Sequence, residues 1–200
     1  MHHDRSLSDM ARIAVEWAAL RHYGGADLMM VDPPWSFALR TRKGEAKSAQ
    51  AKYACQPIDW IKALPVDVLA AENCLLWLWC TNPLLRHGFE VLDAWRFEFR
   101  TAGHWVKRTA HGKLAFGTGY LLRGAGEPFL IGVRGKVKTS RSVRSVIEGK
   151  IRAHNQKPEE AYREAERLMP DARRVEVFSR MNRPNWRVWG DQTGTLEAEA

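Results

Sequence analysis

The chain is poor in cysteine, in long apolar runs and in clustered metal-binding side chains, and each shortage removes a class of explanation. Its three cysteines, Cys55, Cys74 and Cys80, cannot all pair and none lies in a Cys-x-x-Cys arrangement. A disulfide framework and a zinc site are therefore both weak readings, which fits a reducing compartment. The seven histidines are scattered without ligand spacing, so no metal is expected. The longest apolar run, Cys74 to Cys80, is only seven residues, against the roughly 20 that span a bilayer. The opening MHHDRSLSDM has no signal-peptide core. A cytoplasmic protein without membrane contact is expected. There is no P-loop, and Gly117-Thr118-Gly119 lacks the spacing of a dinucleotide loop.

What the chain does have is positive charge in two places. Its 200 residues carry a net +8. Segment 40–56 holds Arg40, Arg42, Lys43, Lys47 and Lys52 against Glu45 alone. Segment 135–152 holds Lys136, Lys138, Arg141, Arg144, Lys150 and Arg152 against Glu148. These two stretches, read as loops, contain all of the excess. One such run is usually solvated surface; two on a basic chain favour a polyanionic partner.

The length suits one domain, 1–192, followed by a flexible tail, 193–200. Met10, Ile13, Trp17 and Leu20 repeat at helical spacing within 8–22. Residues 26–31, 74–80, 97–106, 128–133, 174–178 and 186–189 read as strands, and 64–71, 83–93 and 158–169 as helices. Residues 36–56 lack apolar periodicity and read as a long loop, expected to be mobile without substrate. Strands alternating with helices predict an α/β fold, a largely parallel sheet covered on both faces.

The chemistry concentrates in Asp32-Pro33-Pro34-Trp35, at the carboxyl end of the first strand, where α/β folds place ligands. An aromatic exocyclic amine is a poor nucleophile because its lone pair is delocalised into the ring. Two fixed acceptors near its hydrogens, the Asp32 carboxylate and the Pro33 carbonyl, can draw the nitrogen toward a tetrahedral form. Pro33 and Pro34 stiffen the backbone and so pre-organise these groups. Trp35 offers a flat wall for a base taken out of its stack.

Further motifs follow in order: Lys47-Ser48-Ala49 with Tyr53; Leu76-Trp77-Leu78-Trp79; Gly117-Thr118-Gly119-Tyr120 with Arg123; Glu127-Pro128; Gly132 to Gly135; His154-Asn155-Gln156-Lys157-Pro158; Glu176 to Arg180; and Trp186 to Gln192. Together with the DPPW string they resemble the adenine-N6 methyltransferase family typified by the catalytic subunit of the eukaryotic mRNA adenosine methyltransferase. The short bacterial and phage members are the most similar. The resemblance covers about 26–192. It implies a permuted Rossmann-like fold with the catalytic motif ahead of the cofactor motif, and S-adenosylmethionine (SAM) as cofactor, with S-adenosylhomocysteine as product.

The resemblance also implies roles. Asp32, Pro33, Pro34 and Trp35 form the catalytic motif, and Asp32 borders the cofactor. Lys157 reaches the cofactor's methionine carboxylate, although on its own it reads as a surface lysine at a helix start. Glu176, Phe178, Ser179 and Arg180 line the ribose and methionine region, although Glu176 and Arg180 could equally be a surface ion pair. Asn182, Asp191 and Gln192 contact ribose or carboxylate. Lys47, Lys52, Tyr53, Tyr120, Arg123, Arg152 and His154 are assigned to the substrate. Asp191 departs from the family's asparagine and Lys52 from its histidine, and a carboxylate only accepts hydrogen bonds. The expected reaction is methylation of adenine N6 in DNA. RNA methylation is the alternative, as is a catalytically silent nucleic-acid-binding partner, and a homo- or heterodimer is allowed.

Overall fold

A computed structural model describes residues 2–36, 55–119, 121–152 and 156–190. The first helix, α1 (His2–Leu20), buries Ile13 and Trp17 on the face its periodicity predicts. Strand β1 (Ala26–Val31) is apolar along nearly its whole length, as a strand covered on both faces must be. It lies in the interior of a seven-stranded sheet, parallel to β2 (Ala70–Trp79) on one side and β6 (Arg174–Val177) on the other. Beyond β6 runs β7 (Trp186–Trp189), also parallel. On the other side of β2 come β4 (Gly126–Arg134), β3 (Glu98–Arg108) and the edge strand β5 (Val146–Lys150).

The sheet is mostly parallel with one reversal. β4 runs antiparallel to both β2 and β3. As a result its first residues, rather than its last, arrive beside the carboxyl ends of β1 and β2. Three helices cover one face: α1, α2 (Ile58–Lys62) and α3 (Leu85–Ala94), around Val31, Leu76, Leu78 and Val91. The other face packs Leu28, Met30, Trp77 and Phe129 under α4 (Glu159–Leu168), which contributes Ala161, Tyr162 and Ala165. This is a Rossmann-like α/β sheet with helices on both faces.

Three local expectations are corrected. Residues 64–71 are not a helix: a single tight turn, Val66–Val68, leads into β2, whose first residue pairs with Ala26. The ladder partner outweighs local helix propensity there. Segment 135–152 is not loop throughout, because Val146–Lys150 pairs in parallel with β3 and alternates between outward and inward residues. The helix α2 had no counterpart in the sequence reading, being five residues long with little room for periodicity.

The chain leaves the sheet through a braced corner. The Asp32 amide donates to the Val177 carbonyl at 3.4 Å, the Trp35 amide to Pro33 at 2.8 Å, and the Gln56 amide to Pro34 at 2.7 Å. Trp35 and Gln56 form a lone parallel bridge, so departure and return across 37–54 meet at one point. The expected loop itself falls outside the described residues, as do Lys47, Lys52 and Tyr53 within it.

Candidate active site

The sheet delivers four charged side chains to one place. Asp32 follows β1, Glu127 is the second residue of the reversed strand β4, and Lys107 lies near the end of β3. Lys157 precedes α4, next to its extended N-cap residue Pro158. The Lys157 ammonium sits 2.8 Å from Asp32 Oδ2 and 2.8 Å from Glu127 Oε1. It lies 5.2 Å from the centre of the Trp79 ring. Lys107 closes the row at 2.7 Å from Glu127 Oε2. Lys157 is only 8% exposed, so it is not a surface lysine.

Burial and pairing oppose each other in this row. Burial works to lower the Lys157 ammonium, but Asp32 and Glu127 overcome it and hold Lys157 well above its ordinary value. Burial would raise the Glu127 carboxyl, yet Lys157 and Lys107 pull it below the usual range. For Asp32 burial prevails, opposed by Lys157 and reinforced by the Glu127 charge, and its carboxyl is raised. Lys157 is thus the chief group that favours the ionised form of Asp32 against burial and the Glu127 charge.

A second buried network supports the β6 end. Glu176 accepts from the Tyr162 hydroxyl at 2.6 Å and the Ser179 hydroxyl at 2.8 Å. Burial raises both the Glu176 carboxyl and the Tyr162 phenol. Glu176 is therefore neither half of a surface ion pair nor open to solvent, and its oxygens are engaged by protein donors. Phe178 follows at φ 67°, a conformation that is strained for a bulky residue. It is held between Trp60 and Trp189, and the Ser179 amide donates to the Trp189 carbonyl at 2.9 Å. Gly190 must be glycine for this closure, since a Cβ there would lie 2.3 Å from the Ser179 carbonyl oxygen. Arg180 is half-buried and close enough to bias Asp32 toward its charged form, while Asn182 is exposed.

Trp35 is a correction. Its ring is 5% exposed within the core, and its indole N–H donates to the Trp79 carbonyl at 3.0 Å. It braces the DPPW corner against the end of β2 instead of offering an open wall. Trp35→Phe should lower stability by about 1–3 kcal/mol, the scale of an unsatisfied buried carbonyl, with the nucleic-acid KM unchanged. Thermal melting paired with steady-state kinetics checks this; a KM rise without a stability loss would restore the stacking role.

The other substrate assignments divide. Arg152 is paired with Glu159 at 3.1 Å, and the Arg183 guanidinium holds the same carboxylate. Arg123 is exposed and stacks over Phe116 at 4.7 Å. Tyr120 and His154 lie outside the described residues, as do Asp191 and Gln192 of the cofactor assignments. The sequence reading missed Glu127 and Lys107 as site residues, and Tyr162 behind them. For Glu127 a signal existed: a lone carboxylate heads the apolar run Pro128 to Ile131.

Among the described residues no group of His, Cys, Asp and Glu could hold a metal, and no helix is long and apolar enough to cross a membrane. A cavity of about 700 Å³ opens elsewhere, over Leu75, Trp77 and Phe129 beneath residues 135–145, and none of the charged row lines it. Chemistry belongs with the charged row, since an apolar floor supplies no acceptor.

Comparison with known proteins bears on the same residues. The sequence profile of MT-A70 matches residues 26–192, a span holding Asp32, Glu127 and Lys157. The chain belongs to the MT-A70 family. Its similarity to the family's members is moderate but long. It is 29% identical over 174 residues to the N(6)-adenosine-methyltransferase MT-A70-like of Arabidopsis thaliana, covering 84% of this chain and 24% of that one. It is 28% identical over 182 residues to the human N(6)-adenine-specific methyltransferase METTL4, covering 83% and 37%. With the Type II methyltransferase M.MunI of Mycoplasma sp it shares 25% identity over 181 residues, covering 82% and 76%. The chain thus spans about a quarter of the plant MT-A70 relative and three quarters of the mycoplasmal one.

Proposed function

We propose that this chain is a SAM-dependent methyltransferase acting on the N6 amine of adenine in DNA. The observation that carries the reading is the ammonium of Lys157 held between Asp32 and Glu127 at the carboxyl ends of the parallel strands. The donor set fits the cofactor's amino-acid end, which is a zwitterion beside a positively charged sulfur. Lys157 has three N–H donors and spends two on the described carboxylates, which leaves one for a cofactor carboxylate. Asp32 supplies negative charge where an ammonium and a sulfonium need it. Arg180 and the turn from Phe178 to Ser179 complete the border. When bound, SAM supplies a methyl group activated by that sulfur.

The protein's own part is to hold the amine. Asp32 accepts one N6 hydrogen. The Pro33 carbonyl already accepts from the Trp35 amide and keeps a second lone pair for the other. This fixes the lone pair along one line and brings nitrogen within reach of the methyl carbon. As the new N–C bond forms, the amine becomes acidic, and the Asp32 carboxylate oxygen is placed to receive the departing proton. Lys157 lowers the energy of the charged Asp32 before substrate arrives, so reorganisation during the reaction is small.

DNA is favoured over RNA because the match to the Type II methyltransferase extends over most of that protein. The deciding experiment is labelled-methyl transfer onto matched DNA and RNA oligonucleotides, followed by nucleoside mass spectrometry. N6-methyladenine in the DNA arm is the expected product. Transfer confined to RNA would move the substrate assignment, and no transfer to either would leave a binding subunit.

A further inference from the structure

The connection between β3 and β4 is built to hold two leucines away from the protein. Leu121 and Leu122 are 89% and 85% exposed, and Phe116 beside them is 78% exposed. Their exposure is not that of a slack segment. The Gly117 amide donates to the Gly124 carbonyl at 2.8 Å, the Lys107 amide to Ala125 at 2.9 Å, and the Ala115 amide to Lys107 at 2.9 Å. Arg123 stacks over Phe116. Gly119 lets the chain fold back on itself, since a Cβ there would lie 1.9 Å from the Leu122 carbonyl oxygen. Adjacent apolar side chains projected from a braced tip mark a contact surface.

Charge and position indicate what it contacts. Between Thr109 and Gly126 there are Lys113 and Arg123 and no Asp or Glu, with Lys107 and Arg108 at the foot of the connection. A second copy meeting this tip would bring like charges together, whereas a polyanion would complement them. The returning arm runs into Glu127, five residues after Leu122, so the tip lies within about 18 Å of the charged row. An adenine inside a duplex cannot present N6 to Asp32 without leaving its stack, and apolar side chains are used elsewhere to fill and hold open such steps.

We infer that Leu121 and Leu122 form a wedge that enters double-stranded DNA beside the target and stabilises the extruded adenine. This rests on the reading of the chain as a DNA adenine methyltransferase and narrows its substrate to duplex. Lys113 and Arg123 contact the flanking phosphates, and Phe116 props the guanidinium.

The test uses the full chain with Leu121→Ser and Leu122→Ser together, and follows labelled-methyl transfer into one unmethylated DNA, native or heat-denatured. Transfer into native DNA should fall roughly tenfold or more, because the cost of unstacking is no longer offset. Transfer into denatured DNA should stay within about twofold of the parent, as single strands need no wedge. The melting temperature should not move, since both side chains already lie in solvent. Equal effects on the two DNA forms overturn the wedge, as does a parent that methylates only denatured DNA. A parent that self-associates on size exclusion, with a variant that does not, overturns it in favour of a protein interface. A parent that methylates neither form overturns the reading of the chain as a DNA methyltransferase, and the wedge with it.

Discussion

Asp32→Asn should reduce methyl transfer by roughly 10²-fold or more, with no loss of thermal stability. The two halves of that result come from one fact. Asparagine keeps the size of the side chain and an acceptor for Lys157, but it lacks the negative charge that receives a proton from the amine. The same charge is a burden to the fold, because burial raises the Asp32 carboxyl despite Lys157. Removing it should leave the melting temperature unchanged or slightly higher, while single-turnover transfer collapses. A variant that turns over like the parent would falsify the assignment of Asp32.

The pH dependence follows from the same shifts. Asp32 titrates above its ordinary value, so turnover falls as pH drops through that raised value, earlier than an ordinary aspartate would allow. Its protonation favours the folded state and does not unfold it. Glu127 has a lowered value, so its stabilisation is present above the ordinary carboxylate range and is lost only as pH falls below it. Lys157 is raised, so its contribution is complete below the ordinary lysine value and is lost only as pH rises through the higher folded one. On the acid side, activity should therefore fail at a higher pH than structure does. Paired pH profiles of turnover and of circular dichroism read this directly, and coincident midpoints would remove Asp32 as the controlling group.

Lys157→Met should have the largest effect on stability. Methionine fills the space of the stem but leaves Asp32 and Glu127 as half-buried like charges without their shared partner. Removing one member of a buried ionic group typically destabilises by about 3–5 kcal/mol, or roughly 6–20 °C in melting temperature for a chain of this size. Cofactor affinity, read by calorimetric titration at a temperature where the variant is folded, should fall roughly ten- to a hundredfold. The triple variant Asp32→Asn, Glu127→Gln, Lys157→Met separates charge from shape. It should recover most of the lost stability and none of the activity. If it melts as low as the single variant, the penalty lies in packing around Trp79 and not in uncompensated charge.

How much of this was legible in the sequence depended on the range of the signal. The strands at 26–31, 74–79 and 128–133 were legible because a strand covered on both faces has to be a run of apolar residues. The DPPW corner was legible because proline ends a ladder and aspartate beside it marks a strand end. Lys157 came from the resemblance alone, since nothing local distinguishes a lysine aimed at two carboxylates from one in solvent. Glu127 stood out as a lone carboxylate heading an apolar run, but its place in the site was hidden for a topological reason: only the reversal of β4 brings the start of a strand to the end where the others finish. Trp35 was misread because an indole beside a catalytic motif can either stack on a ligand or brace a backbone. The choice is made by the Trp79 carbonyl, 44 residues away in the chain. The burial of Glu176 was hidden similarly, because its partner Tyr162 comes from a helix with no sequence link to β6.

The bridge between Trp35 and Gln56 has a consequence for how this fold diversifies. Departure and return meet at one point already fixed by hydrogen bonds to the Pro33 and Pro34 carbonyls, so the interval 37–54 has fixed ends. Lengthening such an interval is inexpensive, because closure entropy grows only with the logarithm of length and a doubling adds about 0.6 kcal/mol. The catalytic corner is correspondingly insulated from whatever sequence is spliced between Ser36 and Cys55. Changes of length between Ser36 and Cys55 should therefore leave Asp32 and Lys157 in register.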